Sequence, residues 1–151
     1  MPQFTAIADL LANHYLPPHE TKEGFCRIAN VSVTLSEQVW AAARLQVVGF
    51  KLVLDRSGIR HTLKQHGVGN AASELAQGQV PITDTDFLAL PNWLAAPELV
   101  QAGQPRPRQQ PLPCVEFYAQ GPTGRVCAVL EYRHGRKCLA VVTMYKKRPT
   151  T

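Results

Sequence analysis

The chain is organised around residues 56–67, which read RSGIRHTLKQHG. Ser57 can accept a hydrogen bond from the free backbone N–H groups at the start of a helix, and Gly67 can adopt the left-handed conformation that ends one. Ile59 and Leu63 lie four residues apart and form an apolar stripe, so the other face carries mainly imidazole and positive charge. The sequence therefore predicts a short helix whose polar face has a role beyond packing.

Length and composition predict one globular domain over residues 1–151, and periodicity predicts a helical part at 1–44. With 151 residues, of which 45% are hydrophobic, the chain can bury a sizeable core. It has no apolar run long enough to cross a bilayer and no signal-peptide pattern at Met1, which predicts a cytoplasmic protein. The four cysteines have neither CxxC pairing nor metal-ligand spacing, which predicts free thiols.

Basic residues are concentrated in the last third of the chain. Residues 101–151 carry nine Lys and Arg against two Asp and Glu, a net charge of +7 that exceeds the +5 of the whole chain. Such a block favours a polyanionic partner, and nucleic acid is the commonest polyanion inside a cell. Basic residues also keep exposed sheet edges from pairing, so charge alone leaves both interpretations open.

Periodicity predicts helices early in the chain and strands late. The first 44 residues read as helices around a short strand at 27–33, and a strand at 47–55 leads into the histidine helix at 57–67. A helical section follows up to residue 100. The antiparallel meander at the end consists of three predicted strands, at 115–119, 125–134 and 137–147. The predicted fold class is α+β, with N-terminal helices followed by a small antiparallel β-sheet.

The last two predicted strands form a hairpin around Gly135-Arg136, a loop with glycine first, as a type II′ turn prefers. This register sets Tyr132 opposite Leu139 and continues along the strands to Tyr145 opposite Val126. Strict alternation places one set of side chains on the face of Leu139 and Val141, namely Thr143, Tyr145 and Lys147. Met144 and Lys146 are predicted on the opposite face.

Three stretches of the sequence carry a resemblance to a known family. They are Gly58-Ile59-Arg60-His61 running to His66-Gly67, then Gln79-Val80-Pro81-Ile82 with Asp84 and Asp86-Phe87, and finally Val141-Val142-Thr143-Met144-Tyr145-Lys146-Lys147. In combination they resemble the phage-associated barnase–EndoU–colicin–RelE-like nuclease domains, which are small toxin-like domains of phages and prophages. The resemblance covers residues 45–148 and implies a nuclease-like core there. It also implies helices before a small antiparallel sheet, and metal-independent cleavage of RNA.

The residue types present fit that chemistry. Metal-free RNA cleavage needs a base for the 2′-OH proton, an acid for the leaving oxygen and cations for the phosphate. Histidine can take either proton role near neutral pH. The predicted catalytic residues are His61, His66, Thr143 and Tyr145. The predicted RNA- or phosphate-binding residues are Arg60, Lys64, Arg136, Lys137, Lys146 and Lys147.

We expect no metal and no cofactor. The expected partners are RNA, with transfer RNA among the candidate substrates, and an immunity or antitoxin protein.

The two histidines are predicted to differ in role. They lie five residues apart, so a regular helix separates their directions by roughly 140°. His66 continues the stripe of Ile59 and Leu63, which favours packing or capping of the helix end. His61 lies on the polar face with Lys64 and is the favoured catalytic group. Core packing remains an alternative for Thr143 and Tyr145, and Glu131 and Glu74 remain alternative bases.

Three functions fit the sequence. The first is an endoribonuclease of toxin type that uses histidine acid/base catalysis. The second is a nucleic-acid-binding module without catalysis, because the same basic sheet would bind RNA. The third is a phage structural or interaction protein that keeps the fold without the reaction. Convergence of a histidine with Thr143, Tyr145 and a basic residue favours the enzyme, whereas histidines buried among apolar side chains favour the others.

Overall fold

A computed structural model describes residues 3–4, 7–13, 24–67, 79–105, 111–121 and 124–147 of the protein. Within these ranges the helices are α1 Ile7–Asn13, α2 Val33–Ala43, α3 Arg56–His66, α4 Asp84–Leu88 and α5 Leu90–Trp93. The strands are β1 Gln3–Phe4, β2 Phe25–Asn30, β3 Lys51–Asp55, β4 Gln79–Val80, β5 Leu99–Gly103, β6 Cys114–Gly121, β7 Gly124–Arg133 and β8 Cys138–Lys147. The predicted helix at 71–76 lies outside the described residues.

The strands form one mixed sheet rather than a small antiparallel sheet. Eight strands take part, in the order β1-β2-β3-β8-β7-β6-β5, with β4 also pairing with β8. The pairs β1–β2 and β3–β8 are parallel, and the others are antiparallel. The α+β class is confirmed, but the prediction of a small antiparallel sheet after N-terminal helices is wrong. Strand β3 inserts beside β8, and β2 from the N-terminal part extends the sheet further.

The apolar pattern of β3 explains its central place. Leu52, Val53 and Leu54 are all buried, and such a continuous apolar run is typical of a strand covered on both faces. Strand β2 lies within residues 1–44 and pairs with β3. The boundary between residues 44 and 45, and the single domain over 1–151, stay predictions.

The two faces of the sheet bury different clusters. The main core lies on the inner face, where α3 contributes Ile59, α4 contributes Phe87 and the central strands contribute Leu54, Leu130 and Met144. The opposite face, called the outer face below, holds two smaller clusters. One cluster contains Val53, Cys138 and Ala140, and the other contains Cys114, Cys127, Val129 and Val142.

A β-bulge near Val142 changes the predicted hairpin. The pairs Tyr132–Leu139 and Leu130–Val141 are confirmed, but the register then shifts so that Val129 pairs with Thr143 and Cys127 with Tyr145. The extra residue on β8 moves Tyr145 to the outer face, away from Val141. The prediction that Thr143 and Tyr145 share a face with Leu139 and Val141 is therefore wrong, and so is the prediction that Met144 lies on the opposite face from Val141. The separation of Tyr145 from Met144 is confirmed.

Helix α3 lies along the edge of β8 between two strands that pair with the same edge. Strand β3 pairs with β8 as far as Val141, and β4 pairs with β8 from Lys146 onward. Between them, the side-chain oxygen of Thr62 accepts a hydrogen bond of 3.1 Å from the backbone N–H of Met144. A side chain at Gly58 would collide with the backbone carbonyl of Val141, so only glycine allows this close approach.

The caps of α3 differ from the predicted ones. Asp55, rather than Ser57, is the N-cap, and its Oδ1 atom accepts a 2.7 Å hydrogen bond from the backbone N–H of Gly58. Gly67 ends the helix at φ −85°, which is extended rather than left-handed. Its neighbour His66 has a backbone carbonyl that accepts a 2.6 Å hydrogen bond from Ile82. The helix end is therefore held by the chain that follows rather than by a glycine turn.

Candidate nucleic-acid site

A hydrogen-bonded pair of tyrosines lies on the outer face of β6 and β8. The hydroxyl oxygens of Tyr118 and Tyr145 are 3.3 Å apart. The hydroxyl of Tyr118 also donates a hydrogen bond of 2.6 Å to the Oε1 atom of Glu116. Both tyrosines pack against the outer-face cluster that contains Cys127 and Val142. Strand pairing thus joins a carboxylate and two phenols in one continuous chain of polar groups.

The tyrosines and the neighbouring thiol are protonated at neutral pH. Burial, and then the hydrogen bond to Glu116, raises the pKa of Tyr118 well above its usual value. Burial, and then a hydrogen bond with Cys127, likewise raises the pKa of Tyr145. Burial raises the pKa of Cys127 to about 11. The two hydroxyls can therefore donate hydrogen bonds to an anion but cannot act as bases near pH 7.

His66 lies next to this tyrosine pair. Its ring centroid is 6.0 Å from that of Tyr145, with a tilt of 46° between the two planes. The side chain is half-buried at the C-terminal end of α3, where the backbone contact with Ile82 holds the helix end in place. An imidazole in this position can exchange a proton with a ligand that also touches the tyrosine hydroxyls.

Thr143 offers a further polar atom beside the site. Its Oγ1 atom is buried and has no hydrogen-bond partner among the described residues. It precedes Tyr145 by two residues on the same strand, so both side chains lie on the same face of β8. A buried hydroxyl without a partner is costly, and a bound anion would supply an acceptor for it.

Two cations lie at the same end of the sheet. The guanidinium carbon of Arg125 is 5.2 Å from the centre of the Tyr118 ring, a cation–π arrangement. Arg125 pairs with Lys147 across β7 and β8, and both residues are exposed. The sequence predicted Lys147 as a phosphate-binding residue but did not single out Arg125 for that role.

Lys146 occupies a different environment from the one predicted. It is only 4% exposed, and its Nζ atom lies 3.0 and 3.2 Å from the two carboxylate oxygens of Asp86 on α4. Asp86 is 5% exposed and also accepts a 2.9 Å hydrogen bond from the backbone N–H of Thr83. The ammonium group of Lys146 therefore holds α4 against β8 and is not presented to a phosphate. We correct its assignment accordingly.

The remaining predicted residues are divided between α3 and the far end of the hairpin. On α3, Arg60 and His61 are half-buried and Lys64 is exposed. Arg136 and Lys137 are exposed in the turn that joins β7 to β8, where the positive φ of 50° is at Lys137 rather than at Gly135. The turn and the tyrosine pair lie at opposite ends of this hairpin, so the predicted cations do not form one cluster.

Of the two alternative bases, Glu131 and Glu74, the structure describes only Glu131. Glu131 is 1% exposed and accepts a 3.0 Å hydrogen bond from the Nε atom of Arg133, so it forms a buried ion pair. Glu74 lies outside the described residues. No group of three or more His, Cys, Asp or Glu within the described ranges could hold a metal ion. The absence of a metal from the reaction stays a prediction.

Sequence reasoning missed Glu116 and Tyr118. Their signal was the spacing, because two polar residues two apart on a strand lie on the same face. Their nearness to Tyr145 depends on the β6–β7–β8 pairing, in which Tyr118 and Tyr145 both pair with Cys127. That relation follows only once the bulge in β8 is known.

The fold and the site together define a class of protein. An α+β domain with a mixed sheet presents a histidine, a carboxylate, two phenols and two cations at one end of a sheet face, which fits a nuclease domain. The chain belongs to the family described as phage-Barnase-EndoU-ColicinE5/D-RelE like nuclease 3, whose model matches residues 29–151. This match confirms the resemblance noted in the sequence. No curated protein and no solved structure matches the chain.

No helix in the described part of the chain is long and apolar enough to span a membrane. The cytoplasmic location stays a prediction.

Proposed function

We propose that this nuclease domain is an endoribonuclease that cleaves RNA without a metal, by attack of the 2′-OH group on the adjacent phosphate. The observation that carries the proposal is the chain of contacts from His66 through Tyr145 and Tyr118 to Glu116. It supplies an imidazole and a carboxylate, with two protonated hydroxyls between them. These are the parts that in-line transfer within RNA requires.

In the first step the carboxylate of Glu116 takes the proton of the 2′-OH group. The hydrogen bond from Tyr118 holds this carboxylate on the outer face, with its second oxygen left to accept the proton. The 2′ oxygen then forms a bond to phosphorus while the bond from phosphorus to the 5′ oxygen breaks. The products are a 2′,3′-cyclic phosphate and a free 5′-OH end.

His66 completes the proton balance. The imidazolium of His66 gives its proton to the departing 5′ oxygen, which would otherwise leave as a high-energy alkoxide. The ring of Tyr145 beside it limits the directions in which the imidazole can point. Proton transfer from one group to the other through solvent resets the site. We assign this role to His66 rather than to His61, which the polar-face pattern of the sequence favoured.

The tyrosines and cations hold the phosphate. The raised pKa of Tyr145 keeps its hydroxyl protonated, so that it can donate a hydrogen bond to a non-bridging oxygen. The hydroxyl of Tyr118 continues to donate to Glu116. Arg125 and Lys147 supply positive charge at the same end of the sheet, where charge increases on phosphorus in the transition state. Thr143 offers a further hydroxyl within the site.

The first prediction concerns the metal. Purified protein incubated with total RNA is expected to cleave it at an unchanged rate in excess chelator, because proton transfer and fixed cations carry the reaction. Cleavage is followed on a denaturing gel, and the 2′,3′-cyclic phosphate ends are detected by their resistance to 3′ ligation. Activity that is lost with chelator and restored by magnesium or zinc would contradict the mechanism.

The second prediction concerns the binding surface. Reversal of Arg125 and Lys147 to glutamate is expected to reduce the salt dependence of RNA binding. For single strands the slope of log affinity against log salt falls by about 0.7 for each lost phosphate contact, or about 1.4 for the pair. The control is Arg44→Asn, which removes one exposed charge next to α2 and is expected to leave the slope unchanged. A slope in the Arg125 and Lys147 double variant equal to that of the control would exclude this end of the sheet as the RNA surface.

The same experiments separate the non-catalytic alternatives. An RNA-binding module would show the salt dependence without cleavage products. A structural or interaction protein of the same fold would show neither. The enzyme is favoured because His66 and Glu116 lie at one polar cluster rather than being buried among apolar side chains.

A further inference from the structure

A basic cavity opens on the outer face, at the opposite end of the sheet from the tyrosine pair. Its volume is about 160 Å³, and it lies between β2, β3, β8 and the turn after β7. The half-buried ring of Phe25 lines one side, and Val53 and Cys138 form an apolar base. An aromatic wall over an apolar floor is the arrangement on which a nucleobase stacks.

The rim of this cavity is positively charged. Three basic residues line it, namely Lys51, Arg133 and Arg136, together with the single acidic residue Asp55. Arg133 is held in place, since its guanidinium lies 3.0 Å from both Asp55 and Glu131. Asp55 is in turn the N-cap of α3. Lys51 and Arg136 are exposed, so they can reach the phosphate of a nucleotide whose base enters the cavity.

Strand β7 connects the two sites along one face. The extra residue of the β-bulge lies on β8 and not on β7. Alternate residues of β7 from Arg125 to Arg133 therefore point to the same face of the sheet. Arg125 lies over Tyr118 at one end, and Arg133 lines the cavity at the other. The distance from Cys127, beside Tyr145, to Arg133 is about 20 Å for six strand residues. This is a span of several nucleotides rather than of one.

We propose that the Phe25 cavity is a second nucleotide-binding subsite, which takes one base of single-stranded RNA several nucleotides away from the cleaved linkage. The inference rests on the proposed function for the identity of the polymer, and it adds a requirement for substrate length. The base stacks on Phe25, and Arg136 and Lys51 hold the adjoining phosphate. A duplex is excluded from the cavity because its bases are stacked on one another and cannot enter singly.

The test compares a short and a long substrate. A dinucleotide and a decanucleotide each carry one cleavable linkage, central in the longer one, and every other sugar is 2′-O-methylated. Phe25→Leu keeps an apolar side chain but removes the stacking surface, and it is expected to lower kcat/KM about tenfold for the decanucleotide and not for the dinucleotide. Phe25→Trp, which restores an aromatic face, is expected to restore the rate on the decanucleotide.

Arg136→Ala provides a second variant that does not disturb the apolar base, because Arg136 is exposed in a turn. It is expected to weaken use of the long substrate alone. The control is Arg44→Asn, which removes one exposed charge outside the cavity. Asparagine tolerates the left-handed backbone conformation of residue 44, whose φ is 57°. Unchanged rates on the decanucleotide for both Phe25→Leu and Arg136→Ala would overturn the subsite. So would equal losses on both substrates.

Binding of a fully 2′-O-methylated decanucleotide, followed by fluorescence anisotropy, separates this inference from the proposed function. If the wild-type protein cleaves nothing but binds this strand about tenfold more tightly than Phe25→Leu does, the subsite holds and the ribonuclease proposal fails. If the wild-type protein cleaves RNA but the variants bind the strand as tightly as it does, the ribonuclease proposal holds and the subsite fails.

Discussion

Replacement of His66 by alanine is expected to lower the rate of RNA cleavage by about a hundredfold or more. The physical reason is the loss of the imidazole that lies 6.0 Å from the Tyr145 ring and protonates the leaving 5′ oxygen. Binding of uncleavable RNA is expected to change little, because the phosphate contacts come from other side chains. The measurement is kcat/KM on a defined RNA in chelator, together with the affinity for its 2′-O-methylated form.

His61 supplies the matched control, since it is the same residue type on the same helix. The polar-face pattern favoured His61 as the catalytic group, but the described ring contacts join His66 to the tyrosine pair. His61→Ala is therefore expected to keep the rate within about threefold of the wild type. His66→Gln distinguishes chemistry from packing, because glutamine fills similar space but does not carry a proton near neutral pH. It is expected to be as inactive as His66→Ala while unfolding at nearly the wild-type temperature.

Two outcomes would contradict this assignment. A fully active, folded His66→Gln protein would remove His66 from the mechanism. A large loss in His61→Ala with wild-type activity in His66→Ala would return the catalytic role to His61, as the polar-face pattern favoured.

The parts of the fold that depend on local pattern could be predicted from the sequence. Residues 56–66 form a helix, as the sequence predicted, because the apolar stripe and the flanking polar residues act over a few residues. The hairpin pairs next to the turn, Tyr132 with Leu139 and Leu130 with Val141, follow from the turn alone. The sequence shows Gly58 but does not show that its neighbour across the close approach is the backbone of Val141 on β8.

The site itself depends on two features that alternation does not encode. Val141 and Val142 are adjacent apolar residues, so either can face the core, and the bulge that resolves this ambiguity moves Tyr145 to the outer face. Lys146 reads as a surface base because its partner Asp86 is 60 residues away in the chain. A pairing at such a separation is set by the packing of α4 on β8, which no local pattern contains.

The buried ion pair between Lys146 and Asp86 is expected to make a large contribution to the stability of the protein. Lys146→Met is expected to lower the free energy of unfolding by about 3–5 kcal/mol. The substitution keeps an unbranched apolar side chain but leaves the carboxylate of Asp86, 5% exposed, without its ammonium partner 3.0 Å away. Urea unfolding of the variant and the wild type at equal pH gives the difference. If the slope of the free energy of unfolding against urea concentration is the same for both proteins, they expose the same surface on unfolding, and the difference is one of stability.

Lys147→Met is the matched control, because it makes the same substitution one residue further along β8 at an exposed position. It is expected to change the free energy of unfolding by less than about 0.5 kcal/mol. In the double variant Lys146→Met with Asp86→Leu no buried charge remains, so we expect most of the lost stability to return. About 1 kcal/mol stays lost, since Asp86 also accepts the hydrogen bond from Thr83 at the start of α4. Equal stabilities for Lys146→Met and Lys147→Met would mean that the Lys146–Asp86 pair does not hold α4 against the sheet.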